Sequence, residues 1–401
     1  MFKLNDQQLD AIKKVVKWYF CESMTKNYCG VLGLAGTGKS TVVNIAIKML
    51  GLPISDVIFC TLTGKASLVL RMKGNPSNTI HKTFYTTFKK GNSFIFSLKK
   101  KIPSNIKLIV IDEVSMVTKK MLDDILSFGA PVLCLGDQMQ LPSLGAPNIF
   151  MTNPELAEVF LTQVMRQDDT SGILQLATLA RNEQLPEYKR YAASKVVHFE
   201  EIIDSIADYD MVVCYSNKMR RYLNKYIRTK KGFTSTYPQK GEKIVCLMNN
   251  YNYEIEYNDI PINIVNGMVG YCNEDSKVID SDDMELVKIN FTPDFLVDKN
   301  SMDNLNLEPK AFCEIFEQYN KDISKEAFIE ELYNDSIEDE KLGEVCMIDF
   351  GYAVTCHRAQ GSEADNVLVV VEPNIPKHIF FRWLYTGITR AKKSVTVATI
   401  N

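Results

Sequence analysis

The sequence predicts an α/β fold in which buried parallel strands alternate with helices. Short apolar runs alternate with helical patterns over the first ~165 residues, as they do in a βαβ sheet. A glycine-rich loop at residues 33–40 joins one such strand to a helix. A second alternating region begins near Gly172, and a chain of 401 residues has room for two or three domains.

Residues 33–40 form a complete phosphate-binding loop of the pattern G-x-x-x-x-G-K-S/T, followed by a helical pattern over 41–50. Backbone N–H groups of such a loop close around phosphates, and the helix N-terminus adds partial positive charge. We expect Lys39 to neutralise the β- and γ-phosphates and Ser40 to bind Mg²⁺; a chance glycine-rich turn is the alternative. The expected nucleotide contacts are Gly33, Ala35, Gly36, Thr37, Gly38, Lys39, Ser40 and Thr41.

An Asp-Glu pair follows the wholly apolar run 108–111, which is typical of a buried parallel strand. Because α/β sheets place ligands at the carboxyl ends of their strands, Asp112 is suited to hold Mg²⁺ through water. Glu113 is suited to act as the general base for the attacking water. Such a pair often only caps a strand end, but its position after a phosphate loop indicates a nucleoside triphosphatase.

A third apolar strand, 132–135, leads into a loop that contains Gln140. The amide of Gln140 can donate to a γ-phosphate and accept from the attacking water, so it could report the state of the nucleotide. The alternative is a plain turn without a role in the chemistry.

The charge of the chain is unevenly distributed. The net charge is −3, but residues 272–345 contain 21 acidic and 7 basic residues, a net of −14, so the rest carries +11. A basic body with one acidic segment can still bind a polyanion. The acidic segment is either a surface for a protein partner or simply a solvated face.

Composition and cysteine use indicate a cytoplasmic protein. Hydrophobic residues make up 46% and charged residues 24%, as in soluble globular proteins, and no apolar stretch is long enough to span a membrane. The N-terminus does not read as a signal peptide. We interpret the ten scattered cysteines as reduced and mostly buried, not as disulfides or zinc ligands.

Aromatic residues and lysines are interleaved between His81 and Ile106, and residues 91–92 can turn the chain. We therefore expect a small projecting hairpin whose aromatic residues stack on bases and whose lysines contact phosphates. The alternative is that the aromatic residues pack onto the domain while the lysines face water. The residues concerned are Phe84, Tyr85, Phe88, Phe94, Phe96, Lys89, Lys90, Lys99, Lys100 and Lys101.

The second alternating region supplies strands around one basic amphipathic helix. Ser216 and Asn217 form the expected cap of this helix, which covers residues 218–228. The expected strands are residues 210–215, 240–248, 266–271, 351–356, 366–371 and 394–399.

These motifs, taken in order, resemble the 5′-to-3′ RecD-like branch of the superfamily 1 helicases, and within it the Dda-like group of T-even bacteriophages. The resemblance covers nearly the whole chain. The matching segments besides the phosphate loop are residues 4–8, 61–66, 79–81, 112–116, 136–142, 161–167, 215–218, 352–363 and 385–391. One departure is Arg358-Ala359, where relatives often have Lys-Ser.

The resemblance implies two RecA-like domains with ATP bound between them. It assigns the reading of adenine to Gln8, places Glu363 among the nucleotide contacts, and brings Arg166 and Arg390 to the γ-phosphate. Guanidinium groups there stabilise the charge of the transition state. The implied catalytic residues are Lys39, Glu113, Gln140, Arg166 and Arg390.

The resemblance also implies that single-stranded DNA runs across both domains. The hairpin would be the pin that splits the duplex, with Phe94 or Phe96 as its stacking tip. The implied DNA contacts in the domains are Thr63, Thr79, His81, Ser216, Asn217, Thr355 and His357. The implied partners are single-stranded DNA, its junctions with duplex, and a single-strand-binding or replisome protein, with the chain acting as a monomer.

The expected domain limits follow from these assignments. The first RecA-like domain takes residues 1–83 and 106–168, and the pin takes 84–105. The second RecA-like domain takes 169–271 and 346–401, and an accessory, β-rich insertion of unknown fold takes 272–345.

The expected activity is unwinding of DNA by a 5′-to-3′ motor that depends on ATP and Mg²⁺. One alternative is an RNA helicase of the viral superfamily 1 type. Another is a nucleotide-gated recruitment module that acts through the acidic insertion and unwinds little. The sequence leaves replication, recombination and repair open, and suggests a phage or a small bacterial helicase in the host or bacterial cytoplasm.

Overall fold

A computed structural model of the chain describes residues 4–90, 93–143, 145–164, 172–247, 249–257, 260–281, 284–296, 310–313 and 345–400. Two parallel sheets and one largely antiparallel sheet dominate this part of the chain. The α/β prediction is therefore confirmed. None of the helices in the described ranges has the length and apolarity of a membrane span.

The first sheet has the strand order β3-β2-β6-β7-β1-β8, and every neighbouring pair in it is parallel. The strands of this part of the chain are β1 (Tyr28–Gly33), β2 (Val57–Thr61), β3 (Ser77–Thr79), β4 (Tyr85–Lys90), β5 (Ser93–Leu98), β6 (Leu108–Ile111), β7 (Val132–Gly136) and β8 (Val159–Leu161). The helices are α1 (Asp6–Lys17), α2 (Lys39–Leu50), α3 (Gly64–Met72), α4 (Ile80–Phe84), α5 (Lys119–Leu126) and α6 (Ile149–Thr152). We call this unit the first domain.

Apolar clusters cover both faces of the first sheet, which is why its strands read as continuous apolar runs. Helices α1 and α2 pack on one face, where Val42, Val43 and Ile47 are buried. Strands β4 and β5 leave the sheet and pair antiparallel in the register Tyr85↔Leu98, so the expected hairpin is present. Residues 91–92 and the side chains of residues 87–95 lie outside the described part.

The second sheet has the order β21-β11-β22-β23-β10-β9 and is parallel except for its last pair. Its strands are β9 (Arg190–Tyr191), β10 (Ser194–His198), β11 (Met211–Cys214), β21 (Ala353–Thr355), β22 (Ala364–Val371) and β23 (Ala391–Thr399). The helices around it are α7 (Gly172–Arg181), α8 (Asn217–Lys230), α9 (Cys356–Ala359) and α10 (Lys377–Ile388). We call this unit the second domain.

A third sheet, of order β16-β17-β19-β20-β12-β15-β18, is antiparallel apart from the pair β19–β20. Its strands are β12 (Lys243–Cys246), β15 (Val269–Cys272), β16 (Lys277–Ser281), β17 (Met284–Lys288), β18 (Phe291–Pro293), β19 (Lys310–Cys313) and β20 (Val345–Phe350). Strands β13 (Asn250–Tyr257) and β14 (Ile260–Ile264) form a separate hairpin.

The third sheet differs from the expected division of the chain at residues 272 and 345. The strands expected within 240–248 and 266–271 exist, but as β12 and β15 they pair with β20, β18 and each other, not with the second sheet. Sheet membership therefore places the inserted unit between Lys243 and Phe350. The alternation of a strand shows that it is half-buried but not which sheet it joins, which is why the sequence missed this.

Candidate nucleotide and nucleic-acid sites

The phosphate loop lies between β1 and α2 at the carboxyl edge of the first sheet. Gly38 has a φ of 83°, and an added Cβ there would lie 2.6 Å from the Gln8 side chain. Gly33 approaches the next strand so closely that a Cβ would lie 2.7 Å from the Leu161 carbonyl oxygen. Both positions therefore require glycine for the loop to close.

Helix α2 begins at Lys39, two residues before the predicted start at Thr41, so Lys39 and Ser40 form its first turn. The Lys39 ammonium donates to the carbonyl oxygens of Gly33 and Leu34, both at 2.9 Å. These loop carbonyls hold the ammonium at the place where a phosphate would need its charge. Exchange of these carbonyls for phosphate oxygens would give Lys39 stronger, charge-assisted partners.

Asp112 and Glu113 follow β6 directly, at the same edge of the sheet as the phosphate loop. Glu113 has a φ of 55°, a left-handed conformation that non-glycine residues seldom adopt, and its N–H donates to Asp112 Oδ1 at 2.8 Å. Such strain in a non-glycine residue is typical of functional sites. The Ser40 hydroxyl and the Asp112 carboxylate are oxygen donors of the kind that Mg²⁺ prefers.

Burial raises the pKa of both carboxyls. For Glu113, the negative charge of Asp112 raises the pKa further, whereas the charges of Arg390 and Lys39 lower it. A carboxylate with a raised pKa is a better general base than an exposed one.

Gln140 lies in the loop after β7 and is 3% exposed. Its side-chain oxygen is buried and has no hydrogen-bond partner among the described residues. A buried acceptor without a donor costs free energy, so this oxygen is ready to accept from a water molecule. The geometry fits the predicted role of Gln140 at the nucleotide.

Arg390 follows α10 in the second domain and is buried. Its guanidinium donates to the Thr386 carbonyl oxygen at 2.9 Å and to Thr389 Oγ1 at 3.1 Å. Its charge lowers the pKa of Glu113. Thr386, to which Arg390 donates, also accepts from Leu141 N–H, so Arg390 lies beside the loop that carries Gln140. Arg166 lies outside the described residues.

Gln8 contacts the phosphate loop itself. Its amide donates to the Thr37 carbonyl oxygen at 3.0 Å and accepts from Asn5 N–H at 3.2 Å. Both ends of the amide are therefore engaged within the first domain, and the reading of adenine by Gln8 stays a prediction. Glu363, also predicted to contact the nucleotide, is exposed in the loop after α9.

Hydrogen bonds join the two domains beside the phosphate loop and the Gln140 loop. Leu141 N–H donates to Thr386 Oγ1 at 2.9 Å, and Gln360 donates to the Leu141 carbonyl oxygen at 3.1 Å. The Tyr385 hydroxyl donates to Asp137 Oδ2 at 2.7 Å. The loop that carries Gln140 is thus held by the second domain at three points.

The hydroxyls predicted to contact DNA mostly cap helices in this structure. Thr63 accepts from Ala66 N–H at 3.3 Å, and Thr79 accepts from Lys82 N–H at 3.2 Å. Thr355 precedes α9 without a side-chain cap. Sequence reasoning missed these caps because serine and threonine serve both helix starts and phosphate contacts.

The Ser216 hydroxyl both accepts and donates a hydrogen bond. It accepts from Met219 N–H at 3.1 Å and donates to the buried Glu372 at 2.6 Å. The neighbouring Asn217 is exposed, and its side-chain oxygen accepts from Arg220 at 3.3 Å. The amide nitrogen of Asn217, not the hydroxyl of Ser216, is therefore the group free to donate outward.

The two predicted histidines are partly buried, and burial lowers the pKa of both His81 and His357. The His81 ring lies 4.9 Å from the Phe96 ring and 5.7 Å from the Tyr85 ring. Phe96 is 49% exposed, so the hairpin base carries an aromatic surface with one open face. The Phe94 side chain lies outside the described part.

The third sheet supports both domains through contacts that the sequence did not suggest. Leu68 of α3 is buried in the core of the third sheet, and a Cβ on Gly64 would lie 2.6 Å from Val265. On the other side, Arg220 of α8 forms a fully buried ion pair with Asp349. No local motif marks these residues, because their partners are distant along the chain.

Two family models match the chain. One, described as an AAA domain, matches residues 3–201, and the other, described as a UvrD-like helicase C-terminal domain, matches residues 350–398. These ranges hold the phosphate loop and the segment with Arg390, respectively.

Two curated proteins are similar in sequence. The uncharacterised protein MJ1519 of Methanocaldococcus jannaschii is 25% identical over 94% of this chain and 37% of its own length. The ATP-dependent RecD2 DNA helicase of Deinococcus radiodurans is 32% identical over 36% of this chain and 20% of its own length. The chain therefore spans well under half of the length of these relatives.

Solved structures share the fold over the whole chain. A structure of two coordinating Pif1 helicases at forked double-stranded DNA has a TM-score of 0.58 at 16% identity, covering 100% of this chain and 93% of that one. Bacteroides Pif1 bound to single-stranded DNA has a TM-score of 0.55 at 16% identity, with the same coverage. Pif1 from Candida albicans has a TM-score of 0.55 at 14% identity, covering 100% and 95%.

Proposed function

We propose that this chain, which belongs to the superfamily 1 helicases of the RecD/Pif1 type, hydrolyses ATP to move 5′ to 3′ along single-stranded DNA and to unwind duplex. One observation carries the proposal. Lys39, Glu113 and Gln140 lie at the carboxyl edge of the first sheet, and Thr386 and Gln360 of the second domain hydrogen-bond to Leu141 in the loop that carries Gln140. An ATP site that needs both domains can convert hydrolysis into their relative motion.

Each residue of the site has a chemical task in this proposal. Lys39 carries the positive charge for the β- and γ-phosphates, and Ser40 and Asp112 supply the oxygen donors for Mg²⁺. Bound there, Mg²⁺ neutralises charge that develops on the phosphates. Glu113 takes the proton of the attacking water, and Gln140 accepts from that water through its unpaired oxygen.

Arginines complete the site when the domains lie together. The charge of Arg390 in the second domain already lowers the pKa of Glu113, and a delocalised guanidinium suits the spread charge of the transition state. We assign the same task to Arg166 from the family resemblance. Hydrolysis is then fast only while the second domain is in place, which ties each ATP to one cycle of motion.

Several of the proposed DNA contacts are neutral side chains. Because burial lowers their pKa, His81 and His357 are neutral near pH 7 and offer hydrogen bonds and ring faces, not charge. Phe96 at the hairpin provides a stacking surface at the junction with duplex, and the Asn217 amide provides a donor. Bacteroides Pif1 bound to single-stranded DNA and two Pif1 helicases at forked double-stranded DNA share this fold, which supports this choice of substrate.

The test is ATP hydrolysis without polymer, with single-stranded DNA and with single-stranded RNA, beside a Glu113→Gln variant. We expect strong stimulation by DNA that the variant lacks. Stimulation by RNA alone would favour an RNA helicase, and no stimulation would favour a nucleotide-gated recruitment module. Duplexes with a 5′ overhang should then be unwound while those with a 3′ overhang are not; the reverse result would exclude the proposed direction.

A further inference from the structure

A tyrosine of the second domain reaches the phosphate loop. Tyr385 of α10 is 2% exposed, and its hydroxyl accepts from Ala35 N–H at 3.4 Å while donating to Asp137 Oδ2 at 2.7 Å. One hydroxyl thus joins the loop that holds phosphates to the loop that carries Gln140. Neither Tyr385 nor Asp137 was among the residues that the sequence predicted for the site.

Asp137 is a third carboxylate in a site that already holds two. It is 1% exposed, and its negative charge raises the pKa of Glu113, so that charge reaches the catalytic groups. Its second oxygen accepts from Met139 N–H at 3.0 Å. A buried carboxylate that loses a donor is costly and repels other anions strongly, because the protein interior screens charge poorly.

We propose that Tyr385 is a positioning residue that supplies the donor for Asp137 and so reduces the repulsion between that carboxylate and the nucleotide phosphates. A carboxylate only accepts, so the hydroxyl hydrogen must point to Asp137, and the remaining lone pair faces Ala35 N–H. The donor comes from the second domain, so affinity for the nucleotide depends on the position of that domain. The inference rests on the proposed function only in taking the phosphate loop to bind ATP.

The test is the affinity for ATPγS and ADP, measured without DNA by titration calorimetry. We expect Tyr385→Phe to weaken binding of ATPγS about five-fold or more, since it leaves Asp137 charged and short of a donor. The double variant Tyr385→Phe/Asp137→Asn lacks the negative charge as well as the hydroxyl. Its affinity for ATPγS should return to within about two-fold of the native value. A merely structural role of the hydroxyl would not be rescued by removing a charge.

Tyr209→Phe is the matched control. The Tyr209 hydroxyl donates to Thr396 Oγ1 at 3.0 Å inside the second domain, so its loss should leave nucleotide affinity unchanged. Native affinity in Tyr385→Phe, or failure of Asp137→Asn to rescue it, would overturn the inference. If Tyr385→Phe does not fold, the single variant Asp137→Asn tests the inference instead. The inference requires that Asp137→Asn bind ATPγS no more weakly than the native chain.

Failure of the proposed function would look different. A chain that binds nucleotide but is not stimulated by DNA would refute the motor and leave the Tyr385 test intact. With a working motor, Tyr385→Phe should raise the KM for ATP more than it lowers kcat, because the hydroxyl acts on phosphate binding.

Discussion

The first sheet and the third sheet contribute to the same molecule in opposite ways. At the first sheet, each functional loop directly follows its own strand: the phosphate loop follows β1, Asp112 follows β6, and Asp137 and Gln140 follow β7. The third sheet provides none of the predicted catalytic residues, yet it packs on α3 of the first domain and holds α8 of the second. The comparison teaches that the catalytic residues belong to short local sequence motifs, whereas the contacts that stabilise the two domains join residues distant along the chain.

The largest effect is expected at the first sheet. Glu113→Gln should reduce ATP hydrolysis by about 100-fold or more, because it removes the general base but keeps the size of the side chain. Binding of ATPγS should stay near the native value. Steady-state hydrolysis and calorimetry measure the two effects, and a variant that keeps a tenth or more of the rate would remove Glu113 from the chemistry.

The dependence of kcat on pH is a second test of Glu113 as the general base. Burial and Asp112 raise the pKa of Glu113, and only the ionised form can take a proton from water. The rate should therefore fall as the pH falls through this raised pKa, at a pH above the ordinary range of a glutamate. A plot of kcat against pH that stays flat down to the ordinary glutamate range would contradict the assignment.

The next effect tests whether the third sheet supports the second domain. Arg220→Met leaves Asp349 buried without its ion-pair partner and should lower the free energy of unfolding by about 3–5 kcal/mol. The neighbouring Arg221 is exposed, so Arg221→Met is the matched control and should have little effect. Urea unfolding measures both; equal effects of the two changes would show that the buried pair does not hold the units together.

A smaller effect is expected where the third sheet meets the first domain. Leu68→Ala removes a buried side chain from the shared core and should cost about 2 kcal/mol or more of unfolding free energy. Met72→Ala, on the same helix but 36% exposed, is the control. If thermal unfolding detects no difference between them, α3 does not depend on the third sheet.

The smallest effects on stability and DNA affinity are expected at Ser216 and Asn217, where they distinguish a helix cap from a DNA contact. Ser216→Ala should cost about 1 kcal/mol of stability through loss of the cap and leave DNA affinity nearly unchanged. Asn217→Ala should instead weaken binding of labelled single-stranded DNA, followed by fluorescence anisotropy, because it removes the outward-facing amide. A larger loss of DNA affinity in Ser216→Ala than in Asn217→Ala would show that Ser216 contacts DNA.

The sequence predicted the parallel sheets and the positions of three residues of the proposed ATP site, because their signals are local. An apolar run followed by a polar loop predicted the place of Lys39, Glu113 and Gln140. The proposed role of Arg390 required the family resemblance, since nothing near it in the sequence relates it to Glu113.

The remainder was beyond local patterns for physical reasons. Strand β12 is a short apolar run that would suit any sheet, so its partners could not be read from it. The Tyr385–Asp137 bond joins residues from two domains, and the Arg220–Asp349 ion pair joins α8 to the third sheet. Such features are fixed by the packing of distant segments, which a single sequence does not display.

The place of the third sheet in the chain has a consequence for how the protein is made. Strand β11 pairs with β21 and β22, and the whole third sheet is encoded between them. The ribosome synthesises the chain from the N-terminus. The first domain can therefore fold before β21 and β22, the partner strands of β11, have been synthesised. The Arg220–Asp349 pair can close only after β20 has been synthesised, so the second domain and the third sheet must mature together.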